Sequence, residues 1–228
     1  MINMTVQWLG HACFKITHKG YSIVIDPYNS DYTEGYPPLH VTADKLLVSH
    51  EHYGHNCREA VTLTGKSESE NPFEITSFSV GHDNSGGIMR GSCLVHIFEA
   101  DGIRIAHMGD IGTVLTGGQA SRLSGLDALL VTAGSLTALP SEAVWRLFEE
   151  LIPNVLIPMH YRDKDHGIRR LETVEKLVGY FEDPSFAVWY DTDTLEITHD
   201  LTPQIAVLKC MVKSEKSAFP KFAGWKKR

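Results

Sequence analysis

A chain of 228 residues, 43% hydrophobic and 21% charged, is long enough for one large domain with a substantial core, and length alone would allow two. A formal charge of -7 and a pI near 5.9 argue against a general nucleic-acid binder, which needs basic residues to neutralise phosphates. No apolar run approaches the ~20 residues of a membrane span, and the start carries no charged stretch followed by a long apolar one, so the expected setting is cytoplasmic with no membrane partner.

In chain order, residues 5–9, 12–17 and 21–25 read as three strands rich in β-branched and aromatic side chains, with Lys19 and Gly20 turning between the last two. Residues 27–42 hold Pro27, Pro37, Pro38, Gly35 and three tyrosines without any period, and read as a loop long enough to cover a site. A short buried strand over 45–48 leads into His50, His52 and His55. Residues 57–63 then predict a short helix, and 66–72 a polar surface turn. The segment 73–80 alternates as a strand, and 92–98 with 103–107 forms a hairpin about Asp101 and Gly102. Beyond it come a helix over 118–123, a buried strand over 128–132, and a helix over 141–151 with Ser141 as N-cap. A strand over 155–158, an amphipathic helix over 168–182 and strands near 186–190 and 194–198 complete the order. The basic tail 213–228 reads as a packing or protomer-contact segment. Cys13, Cys57, Cys93 and Cys210 form no C-x-x-C pair, which argues against a disulfide scaffold.

His50 and His52 leave their strand on an extended backbone, where residues two apart point to the same side, so two imidazoles can reach one cation. Two histidines alone rarely hold a metal against exchange, so further ligands must come from elsewhere in the chain.

The stretch from His50 to His55 resembles the H-x-H-x-D-H signature of the metallo-β-lactamase superfamily, with Gly54 at the aspartate position. His82, Asp110 and His160 match the later parts of that pattern in order. Trp8-Leu-Gly-His-Ala12, Ile25-Asp-Pro27 and Arg90-Gly91 look like the branch containing L-ascorbate-6-phosphate lactonase and other metal-dependent hydrolases. The resemblance implies an α/β fold, a four-layer αββα sandwich, over residues 1–212. It also implies a first metal held by His50, His52 and His82, a second held by His55 and His160, and Asp110 bridging them. Four apolar strands then end in candidate ligands, so one rim of the sheets collects them.

Zinc is the expected ion, with Mn2+, Fe2+ or Ni2+ as alternatives and one or two ions per chain. The implied chemistry is attack by a metal-bound hydroxide on a small ester, lactone or phosphate-containing metabolite, with Asp110 positioning the water. His11, Arg90 and Tyr161 are candidates for substrate contact; against them stand a backbone-satisfied histidine, a turn arginine and a packed tyrosine. His107 is expected in the sheet, behind the ligands. Gly54 removes an anionic ligand and is expected to weaken the second site. A substitute ligand such as His11, Asp83 or Glu51 is one alternative. A catalytically weak metal-binding protein with a regulatory or ligand-sensing role is another. Assembly into a homo-oligomer is left open.

Overall fold

The computed structural model describes residues 3–135 and 137–211, so the expected basic tail lies outside the described residues. The strands in chain order are β1 (Met4–Gly10), β2 (Cys13–His18), β3 (Tyr21–Ile25), β4 (Val41–Ala43), β5 (Lys45–Leu47), β6 (Val61–Leu63), β7 (Glu74–Gly81), β8 (Ser92–Ala100), β9 (Ile103–His107), β10 (Ala128–Thr132), β11 (Val155–Met159), β12 (Ala187–Trp189), β13 (Thr194–Ile197) and β14 (Gln204–Val207). The α-helices are α1 (Gly117–Arg122), α2 (Ser141–Leu151) and α3 (Val174–Val178).

Alternation decides which way the first sheet faces. Val6 pairs with Ile16, Trp8 with Phe14, and Phe14 with Ile25, so these side chains share one face and bury it. That sheet runs β13-β1-β2-β3-β5, and the other runs β12-β14-β11-β10-β9-β8-β7. Their inner faces interlock in one apolar core that includes Trp8, Phe14, Ile25, Val95, Ile105 and Ile157. Every residue of β10 and β11 is buried, as parallel strands covered on both faces must be. The crossover helix α2 covers the far face with Val144, Leu147 and Leu151.

The two-sheet sandwich is the one expected, and among the described residues it is loop and small-sheet side chains that cover the outer face of the first sheet. Leu9, Cys13 and Val24, on the opposite face of that sheet, pack under Tyr28, Tyr36 and Leu39 of the long loop and under Ala43 and Val61 of the small sheet β4–β6. The helix expected over 57–63 is accordingly replaced: only Arg58–Ala60 makes a 3-10 turn, and β-branched Val61 and Thr62 pair in parallel with β4. The helix expected over 168–182 shrinks to α3. Leu171 bridges to Ser135 and Thr173 to Arg162, and these tertiary pairings override the amphipathic pattern. Ser141 is the first residue of α2 and not its cap; its hydroxyl donates to the Ala133 carbonyl at 2.8 Å and its N–H to the Glu172 carboxylate at 3.1 Å. The strand β14 had no counterpart in the sequence reading.

Strand direction gathers the site. β1 and β3 each run antiparallel to β2, and β5 runs parallel to β3, so the C-terminal ends of all three share an edge. In the second sheet β8 is antiparallel to both β7 and β9, and β9, β10 and β11 are parallel, so β7, β9 and β11 also end together. His11, Asp26 and His50 follow the first three ends, while His82, Asp110 and His160 follow the second three. Among the described residues no helix is long and apolar enough to cross a membrane.

Trp8 links core to rim. It is 1% exposed, stacks on Tyr161 at 5.4 Å, and its indole N–H donates to the His11 carbonyl at 3.0 Å. Trp8→Ala is therefore expected to cost about 3–5 kcal/mol in equilibrium urea unfolding; a loss under about 1 kcal/mol would contradict this packing.

Candidate metal centre

The centre is built on one carboxylate oxygen. Asp110 Oδ2 lies 3.3 Å from His55 Nε2, 3.5 Å from His82 Nε2, 3.7 Å from His160 Nε2 and 3.9 Å from His50 Nε2. Two nitrogens each ~2.0–2.1 Å from one tetrahedral zinc are themselves about 3.4 Å apart, so these separations suit ligands of a shared cation. His50, His52 and His82 offer one set of ring nitrogens within 4.8 Å of one another, and His11, His55 and His160 offer a second. The structure thus brings together all six expected ligands and adds His11 to the second set.

The imidazoles are aimed by what their other nitrogens touch. His55 Nδ1 donates to Asp26 Oδ2 at 2.9 Å, and His82 Nδ1 donates to the Thr137 carbonyl at 3.1 Å, leaving both Nε2 atoms facing Asp110. Ser49 donates its hydroxyl to Asp26 Oδ2 at 2.6 Å and accepts from His50 Nδ1 at 2.9 Å. Asp26 also accepts from the Ser49 N–H at 2.6 Å, so this fully buried carboxylate orients an imidazole from each set. His107 braces the turn to Asp110: Nε2 donates to the Ala12 carbonyl at 2.9 Å and Nδ1 accepts from the Gly109 N–H at 3.2 Å.

A cation fits the groups left over. His50 Nε2, Asp110 Oδ1, His11 Nδ1 and His160 Nδ1 are buried without hydrogen-bond partners, an expensive state for polar atoms that a cation and its shell would relieve. Backbone conformation points the same way. Six non-glycine residues among those described have positive φ; Lys19 and Asp101 sit in hairpin turns and Ile152 caps α2, while His11, Asp26 and His160 cluster at the centre.

Burial opposes the His55 cation, but Asp110 and Asp26 outweigh it and raise its pKa to about 10. Burial lowers His50 to about 3 and keeps His11 and His160 below the ordinary histidine value. Asp26 resists the upward push of burial through its bond from His55 and stays near 2. Asp110 is likewise held well below the carboxylate range, against burial, by His160 and His55.

A cleft of about 700 Å³, counted out to open solvent, leads to the centre. Its walls include Tyr32, Thr33 and Glu34 from the long loop, as the loop's length suggested, together with Arg90, Ile168 and Arg170. Arg90 is where a substrate contact was expected; Arg170 had no counterpart in the sequence reading, being assigned to a helix. Tyr161 was expected to face substrate and does not: it is 4% exposed, its ring stacks on Trp8, and it is absent from the cleft wall. The positive φ of His160 turns the chain there and sends the next side chain into the core. Asp26 entered the sequence analysis only within the Ile25-Asp-Pro27 resemblance and Ser49 not at all, because their orienting role depends on contacts between distant segments.

A family model described as a beta-lactamase superfamily domain matches residues 5–160. The chain is 29% identical over 210 residues to a UPF0173 metal-dependent hydrolase of Thermococcus kodakarensis, covering 76% of this chain and 92% of that one. It is 26% identical over 188 residues to a UPF0173 protein of Pyrococcus abyssi, covering 69% and 83%. Among solved structures it superposes on a proposed zinc-dependent hydrolase of the metallo-beta-lactamase superfamily from Thermotoga maritima with a TM-score of 0.66 and 26% identity, covering 90% and 98%.

Asp26→Asn is expected to lower zinc affinity about 10- to 100-fold in chelator competition, since it disturbs His50 and His55 together; unchanged affinity would exclude the orienting role. A protonated His55 must also lose its Nε2 proton to a cation. Affinity should therefore climb roughly tenfold per unit between about pH 7 and 9, below the raised pKa, and a flat profile would mean that His55 is already neutral.

Proposed function

The chain belongs to the beta-lactamase superfamily, and from that premise we propose that it is a metal-dependent hydrolase of small anionic esters, lactones or phosphate-bearing metabolites, with zinc as its ion. The observation that carries the proposal is Asp110 Oδ2 standing 3.3–3.9 Å from four imidazole nitrogens drawn from the ends of three other strands, β5, β7 and β11. The relatives named as metal-dependent hydrolases support the same reaction class. Seven side chains, His50, His52, His82, His55, His160, Asp110 and His11, are available to hold the ion or ions.

A bound cation of this kind supplies Lewis acidity and an acidified water. The chain's own residues do the rest. Asp110 places Oδ2 among the ring nitrogens and keeps Oδ1 without a partner, free to accept a hydrogen bond from the attacking water and to orient it. Arg90 and Arg170 share the cleft wall with Glu34 and with Asp110, and because Asp110 is engaged among the imidazoles the two guanidinium groups are left to favour a substrate carrying negative charge. Asp83 keeps Arg90 in place, its carboxylate accepting from the backbone N–H groups of Ser85, Gly87, Met89 and Arg90 at 2.8–3.1 Å. So occupied, Asp83 is a positioning residue and not the general base. Tyr32 stacks on Tyr53 at 4.3 Å, both exposed, and offers an apolar face to the organic part of a substrate.

Free Cys13, Cys57, Cys93 and Cys210 support a reducing, cytoplasmic setting. The proposed activity resembles that of the lactonase branch in reaction class.

Zinc-loaded protein assayed on a generic ester, a lactone and a phosphodiester is expected to turn over at least one of them, and to lose that activity with a chelator. Asp110→Asn should lower kcat by at least about 100-fold. Arg90→Met should raise KM for an anionic substrate about 10- to 100-fold with a smaller change in kcat, the loss of one charge-assisted bond. Bound zinc with no turnover of any ester class would sink the hydrolase in favour of a metal-binding protein with a sensing role.

A further inference from the structure

We propose that His11 is a metal ligand that stands in for the missing carboxylate at position 54, so that a second cation is held by His11, His55, His160 and Asp110. This rests on the metal-dependent reading above and assigns a role that the family signature gives to another residue type.

The spatial evidence is direct. A Cβ added at Gly54 would lie 2.9 Å from His11 Nε2 and 3.5 Å from His11 Cδ2, with Thr33 Cγ2 at 3.8 Å. The His11 ring therefore occupies the room into which a side chain at 54 would project. Backbone geometry does not demand glycine there, because Gly54 is absent from the positive-φ glycines. What demands it is the imidazole. The ring centroid of His11 lies 4.1 Å from that of His160 and 5.3 Å from that of His55, and a nitrogen of each comes within 4.8 Å of the others.

His11 is also held for the task. Its carbonyl accepts from Trp8 Nε1 and from the His160 N–H, both at 3.0 Å, which locks its backbone to that of another member of the set. Its φ of 51° is uncommon for a histidine, and its Nδ1 is buried without a partner.

The rival substitutes are engaged elsewhere. Glu51 is bound by Arg58 at 2.9 and 2.5 Å and by Asn56 at 3.1 Å, with its side chain 70% exposed. Asp83 spends both oxygens on four backbone N–H groups. His11 alone of the three reaches the centre. The exchange leaves the second cation with three neutral imidazoles and one carboxylate, a donor set that favours zinc, nickel or cobalt over manganese.

Elemental analysis, chelator competition and cobalt absorption spectra on wild type, His11→Asn, His11→Ala and the double variant Gly54→Asp/His11→Ala test the assignment. Asn tolerates the left-handed backbone at 11, which guards against a folding artefact, with circular dichroism as the control. The expected result is two zinc ions per chain in wild type, second-ion affinity lowered at least about 100-fold in both His11 variants, and recovery in the double variant with altered cobalt bands. A ligand's removal should exceed the ~10- to 100-fold cost of losing an orienting partner. Unchanged second-ion affinity in both His11 variants, or one ion in wild type and variants alike, overturns the role of His11 while leaving the hydrolase reading intact. Loss without recovery in the double variant overturns the exchange with position 54. A wild-type protein that takes up no zinc overturns both.

Discussion

The centre depends on a carboxylate that points away from the cleft. Asp26 is fully buried at the end of β3, a costly place for a charge unless every oxygen is engaged. It is engaged by Ser49, twice, and by His55, and through the Ser49 hydroxyl it also governs His50. One ion pair inside the sandwich thus fixes the tautomers of two rings whose free nitrogens face Asp110. Remove the carboxylate and those rings have nothing to choose one flip over another.

The same constraint explains why the strained residues lie where they do. His11, Asp26 and His160 each follow a strand end directly, each with positive φ. A left-handed residue after a strand turns the chain sharply, so a side chain that would have continued the sheet's alternation instead meets its counterparts across the rim. The cost, on the order of 1–3 kcal/mol at each such residue, is met by a core packed on both faces of β10 and β11.

Much of this was legible in the amino-acid order. Apolar runs ending in His50, His82, Asp110 and His160 announced both the strands and the convergence, because period-two alternation and burial leave little freedom in such segments. The helix over 141–151 was announced by the Pro140–Ser141 start signal and forms with those bounds, although Ser141 opens it instead of capping it. What was not legible depends on contacts between distant segments. Asp26 gains its meaning only when Ser49 and His55 fold against it, and Gly54 only when the His11 ring arrives beside it. The pattern over 168–182 looked helical, yet Gly167, Ile168 and Arg170 form a cleft wall tied down by bridges at Leu171 and Thr173. Tyr161 misled through simple adjacency to a ligand.

The loop over residues 27–42 has two employments. Tyr28, Tyr36 and Leu39 roof the first sheet, while Tyr32, Thr33 and Glu34 between them face the cleft. The fold and the shape of the cleft are therefore written into one segment, and change at the three facing positions is tolerable only while the roofing aromatics stay. The segment around Ile168 and Arg170 adjoins this loop through the bond from the Gly167 N–H to the Glu34 carbonyl, and because only Leu171 there is committed to the interior it offers change an easier route.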